Sequence, residues 1–95
     1  MLLADHERSR VAWANVIRHI GPEPDTWSDL VGIATDMTAL AGDPMAHAWK
    51  FSVLAEFAPT AQFVDIIYTR ARECGVVSPD LEEIVERRLT QEFAR

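Results

Sequence analysis

The stretch Gly42-Asp43-Pro44-Met45-Ala46-His47-Ala48-Trp49-Lys50-Phe51-Ser52-Val53-Leu54-Ala55-Glu56-Phe57-Ala58 decides how the rest of this 95-residue chain is read. Asp43 and Pro44 open it as helices open, with an acid at the N-cap and then a proline whose missing N–H costs nothing in the first turn. Over residues 45–58 only His47, Lys50, Ser52 and Glu56 are polar. A helix apolar around most of its circumference has no face to give to water. The segment, about residues 44–58, is therefore predicted to be the central helix of the fold, with Trp49 and Leu54 buried at its middle.

Working outward, the chain is punctuated by Gly21-Pro22-Glu23-Pro24, by Gly42-Asp43-Pro44, by Pro59, and by Gly75 with Ser78-Pro79. These residues stop and start helices, and none of the five pieces between them alternates as a strand would. The first helix is predicted over residues 5–20, with Trp13, Val16, Ile17 and Ile20 inward and Gly21 as a left-handed terminating residue. The second starts at Asp25 or Thr26, with Thr26 and Asp29 spaced as a capping box and Trp27, Leu30, Val31, Ala34, Met37 and Ala41 facing the core. The fourth, residues 61–74, sets the polar stripe Gln62, Asp65, Thr69 and Arg72 against Phe63, Ile66, Ile67 and Ala71. The fifth begins at Ser78-Pro79 and buries Leu81, Ile84, Val85, Leu89 and Phe93, leaving Glu82, Glu83, Glu86, Arg87, Arg88 and Glu92 outside. Short connections make neighbouring helices pack side by side, so the predicted fold is all-α, a compact five-helix bundle or orthogonal array. Two cores would each be too small to stand alone, so residues 1–95 are read as a single domain.

The charge is unevenly distributed. Between residues 19 and 49 there is no Lys or Arg, while Glu23, Asp25, Asp29, Asp36 and Asp43 all fall there, so this stretch carries −5 of the formal −6. Such a segment repels phosphate backbones and attracts basic surfaces. The N-terminal residues contain no apolar run suited to a signal peptide, no segment is apolar for about 18 residues, and Cys74 is alone, so the expected location is the cytoplasm. Eight of the nine basic residues are arginine and thirteen residues are alanine, a bias that fits a high-GC bacterium or its phage.

No catalytic, cofactor-binding or metal-binding residue is assigned. His6, His19 and His47 have no His, Cys or carboxylate partner at a ligand spacing; His19 is read as a favourable charge in the last turn of the first helix, and His6 and His47 as exposed. Cys74 lies at the C-terminal end of a helix, the wrong end for thiolate activation, and is read as a small buried apolar residue. Glu82, Glu83 and Glu86 lack the Glu-x-x-His pairs of bundle metal sites and read as a solvated face. The four glycines are isolated and form no phosphate-binding loop. The expectation is a protein that is not an enzyme and needs no cofactor.

Two helices joined through Gly42 resemble a helix-turn-helix, but the second starts with an acid and contains one lysine, whereas affinity for duplex DNA comes largely from Lys and Arg. Arg8, Arg10 and Arg18 on the first helix are the basic alternative. Direct nucleic-acid binding is not expected.

Positions 25, 29, 32, 36, 39 and 43 step by four and three, which places Asp25, Asp29, Gly32, Asp36, Ala39 and Asp43 along one ridge. Asp25, Asp29, Gly32, Asp36 and Asp43 are thus candidate partner-binding residues. Trp27, beside the ridge in the first turn, is read either as an interface anchor or as a cap on the end of the core. The leading expectation is a small acidic inhibitor, adaptor or immunity-type protein that docks this face on a basic surface of a larger protein. Were that surface a nucleic-acid channel, the chain would act as a charge mimic of nucleic acid. The alternatives are a small dimeric DNA-binding regulator and a subunit or chaperone of a larger assembly; homodimerisation is left open and no membrane partner is expected.

Overall fold

A computed structural model describes residues 5–93, and the side chains of residues 7–91. The elements are α1 (Asp5–Ile17), α2 (Pro24–Ala39), a short 3-10 turn (Pro44–His47), α3 (Trp49–Phe57), α4 (Ala61–Glu73) and α5 (Pro79–Phe93). The fold is an all-α bundle of five helices, and among the described residues there is no strand. The side chains of His6, Glu92 and Phe93 lie outside those described.

α3 is the centre, as its composition requires: it packs against α1, α2, α4 and α5. Six consecutive residues, from Lys50 through Ala55, are buried, and Phe51 and Leu54 are completely so. Around it close Ile17 from α1, Trp27, Val31 and Ala34 from α2, Val64, Ile67 and Ala71 from α4, and Leu81 and Val85 from α5. Burying side chains of this size removes about 1.5–3 kcal/mol of unfavourable hydration each, which is what holds the helices on α3.

The helix ends follow local chemistry where a side chain can reach a free N–H. Thr60 accepts from the Phe63 N–H at 3.2 Å and Ser78 Oγ from the Leu81 N–H at 3.1 Å, which caps α4 and α5. α4 ends in a Schellman turn: Val76 N–H donates to Ala71 O and Gly75 N–H to Arg72 O, with Gly75 at φ 71°. Val76 and Ala71, both fully buried, supply the apolar contact of that motif.

Several boundaries and burials differ from expectation. α1 stops at Ile17, because the His19 and Ile20 N–H groups bond three residues back and tighten the turn; Gly21 does not take the left-handed conformation, and His19 lies beyond the helix. α2 starts a residue early, with Glu23 at the N-cap and Pro24 in the first turn, so Thr26 and Asp29 are both inside the helix and form no capping box. Residues 44–58 are not one helix. Pro44–His47 wind as a 3-10 turn, which over four residues rotates the following face by about 80° relative to an α-helix.

The apolar arc of α2 is wider than its contact with the core. Trp27, Val31, Ala34 and Thr38 are the buried residues, the Thr38 hydroxyl donating to Ala34 O at 2.7 Å, while Met37 is 44% exposed. Val16 of α1 is 64% exposed and Ile66 of α4 is 37% exposed. All three were expected inside. Because α1 packs on α3 rather than laying itself over α2, part of the apolar arcs of α1 and α2 is left uncovered, while Ile66 borders the open groove between α2 and α4.

Candidate functional site

On α2 the structure brings the expected ridge together. Asp25, Asp29, Gly32, Asp36 and Ala39 are exposed along one side of the helix, and Asp43 is exposed beyond its end, before the 3-10 turn. Asp29 and Asp36, two turns apart, are separated by about 10 Å of helix rise. Among the described residues none of the four aspartates enters an ion pair. A Cβ added at Gly32 would meet nothing within 4 Å, so the backbone there is open to an approaching surface.

Trp27 does not belong to this face. It is 1% exposed, and its indole N–H donates to Gly21 O at 3.0 Å, which ties the Pro-rich connection to the start of α2. Its polar atom is satisfied internally and its ring is enclosed, so it is the core cap and not an interface anchor.

Two grooves flank the ridge. Between α1 and α2 lies an open groove of about 300 Å³, lined by Ala12, Trp13, Val16, Ile17, Leu30 and Ile33, all apolar. Between α2 and α4 a second, of about 310 Å³, is lined by Ser28, Val31, Gly32, Phe63, Ile66 and Arg70. Beyond the groove the exposed apolar surface continues along α2, since Leu30, Ile33, Met37 and Leu40 share helical spacing and the last three are 50%, 44% and 87% exposed.

Away from the ridge, Lys50 is 3% exposed on α3, a position read in the sequence only as polar. Its Nζ lies 4.3 Å from the Trp49 ring centre, 5.9 Å from that of Trp13 and 2.5 Å from His47 Nδ1. The two indoles meet edge to face at 5.6 Å. Loss of hydration in this niche lowers the Lys50 pKa below that of a free lysine, while the ring faces attract the cation. Trp49 is accordingly half-buried in a contact with α1, not at the centre, and His47 is half-buried rather than exposed. A lysine adjacent to a tryptophan in an otherwise apolar helix was the signal for this cluster.

A polar cleft of about 330 Å³ between α1, α3 and α5 is bordered by the ion pairs Arg10–Asp80, at 2.9 Å, and Arg87–Glu56. Ser52 Oγ, buried at its base, has no hydrogen-bond partner among the described residues. Among the described residues no histidine lines the cleft to serve as a base for that hydroxyl. Among the described residues no group of three or more His, Cys, Asp or Glu side chains is placed to hold a metal ion, and no helix is long and apolar enough to cross a membrane. Glu82, Glu83 and Glu86 are exposed, and Cys74 is half-buried at the margin of the core.

No family model matches this chain, and neither the curated proteins nor the solved structures compared with it contain a match.

Proposed function

We propose that this chain is a non-enzymatic protein-binding module, an inhibitor, adaptor or immunity-type protein, that docks the acidic side of α2 on a basic surface of a larger partner. One observation carries the reading. The ridge has Asp25, Asp29, Asp36 and Asp43 exposed with no base among them, whereas the outer face of α5 sets Arg87 among Glu82, Glu83 and Glu86. The mixed face of α5 is how a merely solvated helix is composed; a single-sign face repels itself at a cost in stability and is suited to steering an oppositely charged partner.

The α2–turn–α3 unit does not favour the DNA-reading alternative. α3 is enclosed over six consecutive residues and has no free face to lay in a groove of a duplex.

The test compares the parent chain with Asp29→Lys/Asp36→Lys as baits in a lysate of the native host, followed by binding measurements on the captured protein over a salt series. Both side chains point to solvent, so the fold is expected to persist. The variant is expected to bind about tenfold or more weakly, mostly through slower association, and with a flatter salt dependence. A variant that holds the same protein as tightly as the parent would make the ridge a solubility feature.

A further inference from the structure

Resting on that reading, we infer that the partner element is an amphipathic α-helix that lays apolar side chains in the α1/α2 groove and runs Lys or Arg side chains along the α2 ridge. Three observations converge on this occupant.

The groove is lined wholly by apolar side chains, among them Val16 and Ile33, which are 64% and 50% exposed. Apolar surface of this kind, continuous over two helices, marks an interaction site more than isolated exposed residues do. With the exposed residues that follow it, the apolar surface is a strip rather than a pit: from Leu30 to Leu40, the C-cap of α2, the apolar positions extend over about 15 Å, the length of about three turns of a helix laid alongside. A helix presents apolar anchors at matching intervals, which is the geometry of helix-in-groove recognition.

The charges select which helix. On α2 the strip Leu30, Ile33, Met37, Leu40 lies about 80–100° around the axis from Asp29, Gly32 and Asp36, so a helix seated on the strip has one flank beside the acids. That flank must be basic. Of the bases on and just after α1, Arg8, Arg10 and Arg18, none lines the groove, and Arg10 is paired with Asp80. A second copy of this chain is the less complementary occupant, since it would add another stretch of −5 to the same neighbourhood.

The experiment uses the full chain and two synthetic helical peptides of about 14 residues, about four turns. Both carry leucines at positions i, i+3, i+4 and i+7; one is flanked by lysines, the other by glutamates. Binding is followed by the anisotropy of a fluorophore on the peptide, and seating in the groove by the emission of Trp13, with Trp13→Phe as the control that assigns the signal.

The lysine-flanked peptide is expected to bind at least tenfold more tightly than the glutamate-flanked one and to shift the Trp13 component. Val16→Ser/Ile33→Ser, both exposed positions, is expected to weaken it about tenfold or more, with the circular dichroism spectrum unchanged. Equal affinity for the two peptides, or none for either, would overturn the inference. If binding is lost on Asp29→Lys/Asp36→Lys but survives Val16→Ser/Ile33→Ser, the ridge reading stands and the groove has no part in it. If sedimentation shows the parent chain to be a dimer that Val16→Ser/Ile33→Ser dissociates, the occupant is a second copy and the inference fails.

Discussion

Removing the Arg88 guanidinium should loosen the attachment of α5 to α3 more than any other surface substitution on α5. Arg88 donates to the carbonyl oxygens of Ala55 at 2.8 Å, Glu56 at 2.9 Å and Ala58 at 2.7 Å. These are the last carbonyls of α3, which ends at Phe57 before Pro59 and has no later N–H groups to accept from. Ala55 and Ala58 are 0% and 2% exposed, so water is a poor substitute partner. A hydrogen bond to a charged donor contributes about 1.5–3 kcal/mol, and three sharing one half-buried guanidinium are not additive, so Arg88→Ala is expected to cost about 3 kcal/mol. For a domain of this size that lowers the melting temperature by roughly 12–24 °C.

Arg88→Lys should recover less than half of this, because an ammonium cannot present the planar fork that spans three carbonyls. Arg87→Ala is the control: it removes only an exposed ion pair with Glu56 and should cost less than about 1 kcal/mol. Urea unfolding followed by circular dichroism, with an unchanged m-value, gives the differences directly. An Arg88→Ala loss below about 1 kcal/mol would mean that the terminal carbonyls of α3 are satisfied by solvent and that the apolar contacts alone hold α5 in place.

Lys50→Met keeps the buried stem and removes the charge, so at neutral pH it should unfold within about 1 kcal/mol of the parent or at higher urea. Burial lowers the folded-state pKa of Lys50, so between that value and the unfolded one, about 10.4, the unfolded chain binds more protons and the parent gains stability as pH rises. The parent should therefore gain on Lys50→Met as pH rises through that window, an effect absent below the folded-state pKa. A difference that stays level all the way to the unfolded-state value would contradict the burial of the amine. Gly75→Ala should cost about 1–2 kcal/mol because φ is 71° there, whereas Gly21→Ala, with a negative φ and open space around the added methyl, should be close to neutral. Equal melting temperatures for the two would argue against the left-handed turn after α4.

The elements themselves were legible because their signals are local. Pro59, Ser78, Pro79 and Gly75 act on N–H and C=O groups within a few residues, and the apolar circumference of residues 49–57 excludes any position but the centre. The acidic ridge was legible for the same reason: helical spacing alone puts 25, 29, 32 and 36 on one side.

Burial depends on neighbours, and there sequence periodicity stops short. It put Trp27, Leu30, Val31, Ala34, Met37 and Ala41 on one inward arc of α2, but only the seat of α1 on α3 decided that Trp27 and Val31 are enclosed while Met37 is left exposed. In the same way a 3-10 turn re-phased Trp49 towards Trp13, Lys50 found indole faces instead of water, and Arg88, read as part of a solvated face, reached carbonyls 30 to 33 residues away in sequence. Sequence alone determined that the chain forms five helical segments and where its acids lie, because spacing and capping act within a turn or two. Tertiary structure alone decided which apolar faces are covered and which polar groups are paired, because those depend on helices distant in the chain meeting in space.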